Sequence, residues 1–158
     1  MHKHILIPTD GSELSQNAID YGMALAKSVN AKVTVVTVST PFHALVVEPS
    51  MITDTPEQYG KRMATLAAEY LNLAKEAALA AGVSCDTMHV EHDQPYLAII
   101  ETAARKSCDL IVMASHGRRG ISVVRQHGAL LTPPGRRLII QDDGALSPRI
   151  RPATPRGE

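Results

Sequence analysis

A doubly wound α/β fold, with a mostly parallel sheet of four to five strands and helices on both faces, is predicted by two features of this 158-residue chain. Short apolar, β-branched runs alternate with longer segments in which apolar residues recur every three or four positions. The second run, Lys32-Val33-Thr34-Val35-Val36-Thr37-Val38-Ser39, is apolar or β-branched almost throughout, as expected of a strand covered on both faces.

Ile5-Leu6-Ile7-Pro8 reads as the first strand, closed by the polar turn Pro8-Thr9-Asp10-Gly11-Ser12. Ser12 can cap a helix carrying Leu14, Ala18, Tyr21, Leu25 and Val29, which Asn30-Ala31 ends. After the second strand, residues 40 to 54 carry Pro41 and Pro49 without a lasting period and read as loop. Thr55-Pro56-Glu57-Gln58 combines an N-cap, a proline at the first helical position and a capping-box glutamine. The helix it opens runs to about Ala81, with Met63, Leu66, Ala67, Tyr70, Leu73, Ala74 and Ala77 on one stripe and Gly82 as its stop. Val83 to Val90 is a weaker third strand, and Pro95 opens a third helix with Leu97, Ile100, Ala103 and Ala104. Cys108 to Ala114 is the fourth strand, and Arg137-Leu138-Ile139-Ile140 can add a fifth at an edge. The expected organisation is one domain over residues 1–140 and a disordered tail over 141–158.

A formal net charge of zero speaks against a general nucleic-acid or membrane-surface role. The balance is uneven along the chain: residues 1–117 hold 8 basic and 13 acidic side chains, residues 118–158 hold 8 and 3. Every lysine lies before position 107, and five of the ten prolines fall in the last 26 residues. Neither a signal-peptide apolar core nor a membrane-spanning run stands out, and Cys85 and Cys108 form no C-x-x-C, so buried, inert thiols in a reducing cytoplasm are expected.

The fourth strand runs directly into Ser115-His116-Gly117-Arg118-Arg119-Gly120. Glycine admits φ > 0 and lacks the Cβ that keeps an anion away, so successive N–H groups can converge on a phosphate, with arginines adding charge. Alone, G-x-x-G reads first as a tight turn and His116 as a surface residue, while Arg118 and Arg119 equally read as solvated charges. Asp10 can be a turn or cap residue or a ligand contact. A catalytic set is not apparent: Ser115 has no paired base, and His89 and His92 lack metal-ligand spacing. The backbone-clamping loop of KH domains joins helices, whereas this one leaves a strand, so RNA is not the expected partner.

I-L-I-P-T-D-G-S at the start, the V-x-V-V-x-V second strand and D-L-I-V-M-A-S-H-G-R-R-G-I-S together resemble the universal stress protein family over roughly residues 3 to 122. The resemblance implies a five-stranded α/β fold and an adenine-nucleotide pocket for ATP or AMP, with or without Mg2+. It places Pro8, Thr9 and Asp10 at the adenosine end, the Val38 backbone at the adenine edge and Met113 near the base or ribose. Ser115, His116, Gly117, Arg118 and Gly120 would form the phosphate loop. It further implies a stress-response regulatory module, often a homodimer, that acts on an unknown regulated protein and turns over substrate slowly if at all. Two alternatives are a slow ATPase with Asp10 helping to hold a divalent ion, and a family member that works through protein contacts alone. ATP-binding members continue to a Gly-Ser or Gly-Thr pair where this chain has Leu130 and Leu131, and Pro133-Pro134 would interrupt the usual last helix. A reading-frame change near residue 123 would produce such an ending, and the coding DNA tests it.

Overall fold

The computed structural model describes residues 2–42, 55–115 and 137–142. Its elements are β1 (His4–Pro8), α1 (Glu13–Val29), β2 (Lys32–Ser39), α2 (Pro56–Ala81), β3 (Cys85–Glu91), α3 (Pro95–Arg105), β4 (Leu110–Ser115) and β5 (Arg137–Asp142). All four strand pairings are parallel, in the order β3-β2-β1-β4-β5. The chain therefore builds outward from β1 through β2 to β3, then returns to the other side of β1. The predicted α/β class and the fifth, edge strand are both present, and β5 runs two residues past Ile140.

Helix ends follow from local chemistry. The Ser12 hydroxyl accepts from the Ser15 N–H at 3.2 Å, and Asn30 closes α1 at φ 54°. Thr55 and Gln58 form a reciprocal capping box with bonds of 3.1 and 3.2 Å, and Gly82 at φ 71° lets the Val83 N–H reach the Ala78 carbonyl at 2.9 Å. Thr55→Ala leaves the Gln58 N–H without its partner and should cost about 1 kcal/mol. A lower denaturant midpoint at unchanged slope in urea unfolding would register it.

The two faces of the sheet carry separate cores. Ile5, Ile7, Val33, Val35, Leu110 and Val112 meet α1 and α2, while Leu6, Val36 and Ile111 meet Ala103 and Ile99 of α3 together with Cys108. The buried helix stripes are rotated from the expected ones. On α1 the stripe is Ser15, Ala18, Ile19, Gly22, Met23 and Ala26, with Tyr21, Leu25 and Val29 at its margin. On α2 it is Tyr59, Ala67, Leu71, Ala74 and Ala78, and Leu73 is 51% exposed. Small residues win the centre because alanine and glycine let a helix approach the sheet closely, which pushes larger apolar side chains to the flanks. On α3 the buried residues are Ala98, Thr102 and Ala103, and Ala104 is exposed.

Strand limits also shift. β3 starts at Cys85 rather than Val83, because the Val83 N–H completes the α2 cap. β4 starts at Leu110 because Cys108 bonds back to the Ala103 carbonyl at 2.8 Å. Cys108 is buried as expected, whereas Cys85, on an edge strand, is half-buried; burial and the neighbouring Asp86 push its thiol pKa up.

Candidate functional site

Because β1 and β4 are parallel neighbours, their carboxyl ends lie at the same end of the sheet. This is also where strand order reverses, the position at which open α/β sheets form a ligand crevice. β1 pairs with β2 through five residues, from His4↔Lys32 to Pro8↔Val36. Its pairing with β4 covers only Ile5↔Leu110 and Leu6↔Ile111. Ladder pairing between these two strands thus stops short of their carboxyl ends, where Pro8 has no N–H to donate.

Side-chain alternation places Pro8, Val38 and Met113 on one face at the carboxyl end of the sheet. They continue the series Leu6, Val36 and Ile111 on the α3 face, one residue from each of the three central strands. The inner three are 0%, 0% and 4% exposed, whereas the outer three are only partly buried. The result is a partly exposed apolar ledge at the carboxyl end of the sheet. Backbone direction adds a polar component. The Thr9 N–H donates to the Val36 carbonyl at 2.9 Å, the last rung between the two chains. In a parallel ladder alternate residues turn their N–H and C=O the same way. Val38 therefore directs both groups towards β1's side of the sheet at a level where β1 has already turned into its loop.

The loop after β1 is closely braced. Thr9 is buried, its hydroxyl lies 3.0 Å from that of Ser15, and it accepts from the Gly11 N–H at 3.3 Å. Asp10 is exposed, and its Oδ1 accepts from the Ser12 N–H at 2.9 Å. Desolvation pushes the Asp10 pKa up, but hydrogen bonds from Ser12 and Ser15 outweigh it and hold the carboxyl below the usual carboxylate range. An ionised Asp10 beside the start of α1 already answers the positive end of that helix. It offers acceptors only, which suits hydroxyl donors of a sugar or a cation better than a phosphate.

Of the residues singled out from sequence, Pro8, Thr9, Asp10, Val38 and Met113 lie at or just beyond the carboxyl ends of β1, β2 and β4, with the Thr9 hydroxyl held by Ser15 of α1, and the Ser115 backbone ends β4. His116, Gly117, Arg118 and Gly120 lie outside the described residues. Sequence reasoning missed the braces: Ser15, which holds Thr9, and Tyr70 of α2, whose ring sits where a Cβ on Gly11 would be. The Ser12-x-x-Ser15 spacing was a usable signal for the first. No short-range pattern marks the second.

The fold is that of a doubly wound α/β protein whose strand order reverses between β1 and β4. The universal stress protein family model matches residues 1–125. A universal stress protein of Methanocaldococcus jannaschii, MJ0531, is 34% identical over 125 residues, which is 77% of this chain and 69% of that protein. This chain belongs to the universal stress protein family. Among solved structures, a universal stress protein in complex with cAMP aligns with TM-score 0.60 at 20% identity, over 89% of this chain and 97% of the other. One from Archaeoglobus fulgidus in complex with dAMP aligns with TM-score 0.60 at 18% identity, again over 89% and 97%.

Proposed function

We propose that this chain is an adenine-nucleotide-binding regulatory module, taking ATP or AMP in the crevice between β1 and β4. The observation that carries this reading is the ledge of Pro8, Val38 and Met113 beneath a main-chain donor and acceptor at Val38. A flat, apolar base with a hydrogen-bonding edge suits such a surface, and the Asp10 carboxylate suits ribose hydroxyls. Ser115, His116, Gly117, Arg118 and Gly120 would then approach the phosphates, their bare amides as donors. The cAMP and dAMP complexes of similarly folded proteins support an adenine ligand. A cytoplasmic stress-response role, dimerisation, Mg2+ and an unidentified regulated protein belong to the same reading.

Leu130 and Leu131, standing where ATP-binding members have Gly-Ser or Gly-Thr, favour a second reading, a member that acts through protein contacts alone. Loss of one amide donor and one hydroxyl removes about 1–3 kcal/mol, roughly tenfold to a hundredfold in affinity. Isothermal titration with ATP, AMP and GTP separates the two, run beside a Gly117→Val, Gly120→Val double variant. Heat from adenine nucleotides that the variant loses supports the nucleotide reading. Equal heat from both proteins rejects the loop as the site, and no heat from any nucleotide favours protein contacts alone. Steady phosphate release above the double variant would mark a slow ATPase instead.

A further inference from the structure

At the opposite end of β1 from the crevice, a histidine is enclosed in the sheet. His4 is 4% exposed and packs on the α3 face, where its Nε2 lies 2.8 Å from the hydroxyl of Thr34, itself fully buried on β2. The Lys106 backbone, at the end of α3, hydrogen-bonds the same ring. Around this point the start of β1 is tied down by main-chain bonds. The Asp109 carboxylate, just before β4, accepts from the Lys3 N–H at 2.8 Å and the His4 N–H at 3.3 Å, and the Asp109 N–H donates to the His4 carbonyl at 2.9 Å. The His2 ring lies 3.6 Å from Asp109, and the Lys32 N–H donates to the Lys3 carbonyl at 3.1 Å. The charged groups facing His4 are Lys32 from β2, Asp86 from β3 and Asp109 before β4.

We propose that His4 makes this anchor of the central strand sensitive to acid: taking up a proton inside so dry a site destabilises the folded chain and loosens the start of β1. A neutral imidazole has one donor and one acceptor nitrogen, which the Thr34 hydroxyl and the Lys106 backbone can serve without any charge being buried. An imidazolium in the same place loses its hydration and meets Lys32 across the β1–β2 pair. Asp86 and Asp109 act in the other direction. Burial, with Lys32 behind it, wins and holds the His4 pKa below its ordinary value of 6.5.

The sign of the pH dependence follows. The unfolded chain takes up the proton first, so the stabilisation is full above pH 6.5 and is lost as pH falls through that value towards the folded pKa. The folding equilibrium falls by up to about tenfold for each unit separating the two values. Nucleotide binding does not enter the expectation, so its failure and that of the nucleotide reading are distinguishable.

Urea unfolding of the full chain at pH 7.5 and pH 5.5, beside His4→Gln, tests it. Glutamine can hold Thr34 but cannot titrate. The original chain should lose several-fold more of its folding equilibrium over this interval than the variant; parallel losses would overturn the proposal. Should the variant not fold, histidine ring NMR of the original chain decides. His4 titrating below the exposed histidines, with its ring environment changing as it does, supports the proposal. Titration at or above them refutes it.

Discussion

Gly11→Val is expected to lower stability by roughly 3–5 kcal/mol, a large part of the 5–15 kcal/mol that holds a typical domain together. Two costs combine. Gly11 has φ +77°, a region that β-branched residues almost never enter and that costs about 1–3 kcal/mol. The new Cβ would also meet three atoms of the Tyr70 ring, a rigid body held in α2, and such overpacking adds about 1–3 kcal/mol. Gly11→Asn keeps the steric conflict but tolerates the backbone angle, so it should be milder than valine. Gly11→Val with Tyr70→Ala should recover part of the loss. Denaturation midpoints of the four proteins measure this, and a valine variant within about 0.5 kcal/mol of the original would show that the loop is not braced this way. Thr9 and Asp10 immediately precede Gly11, so a valine chain that stays folded should also have a displaced site.

Gly22→Val carries the second large effect, about 2–4 kcal/mol. Gly22 lies on the buried stripe of α1, and a Cβ there would run into Cδ1 of Ile7 on β1, with Cγ1 of the same side chain next nearest and Cγ1 of Val112 on β4 third. Alanine at the same position gains about 1 kcal/mol of helix propensity, which offsets part of the crowding. The colliding atom is a side-chain terminus, and it can be removed. Ile7→Val alone should cost about 0.5–1.5 kcal/mol as a core truncation. Joined to Gly22→Ala it should cost less, or stabilise, since the added methyl fills the space that Cδ1 leaves. A double-mutant cycle by thermal or urea unfolding reads that coupling, and strict additivity would show that α1 shifts bodily away from the sheet instead.

These positions also mark how far the sequence could be read. β2 was recognisable because a run of β-branched residues has few other uses, and α2 because Thr55, Pro56, Gln58 and Gly82 each perform a local task at its ends. The helix faces were read less well. The three- and four-residue spacing traced Tyr21, Leu25 and Val29, which lie at the margin, and of the stripe pressed on the sheet it caught Ala18 but not Gly22 or Ala26. Large apolar residues signal a buried side of a helix. Close approach requires small ones, and a hydropathy pattern ranks those low. At the site, Asp10, Val38 and Met113 were named through family resemblance, whereas Tyr70 stood out only as one more member of an apolar stripe.

The sequence by itself determined the alternation of strands and helices, the caps that start and stop them, and membership of the universal stress protein family. Each depends on near neighbours: side-chain period, backbone angles open to a given residue, and hydrogen bonds spanning three or four positions. Tertiary structure alone decided that β4 lies against β1, that their pairing ends at Leu6↔Ile111, that Tyr70 stands over Gly11, and that His4 is enclosed at the other end of the strand. Those contacts join residues tens of positions apart, and they are selected by how the whole sheet and its two helical layers pack at once, which no local window of the chain contains.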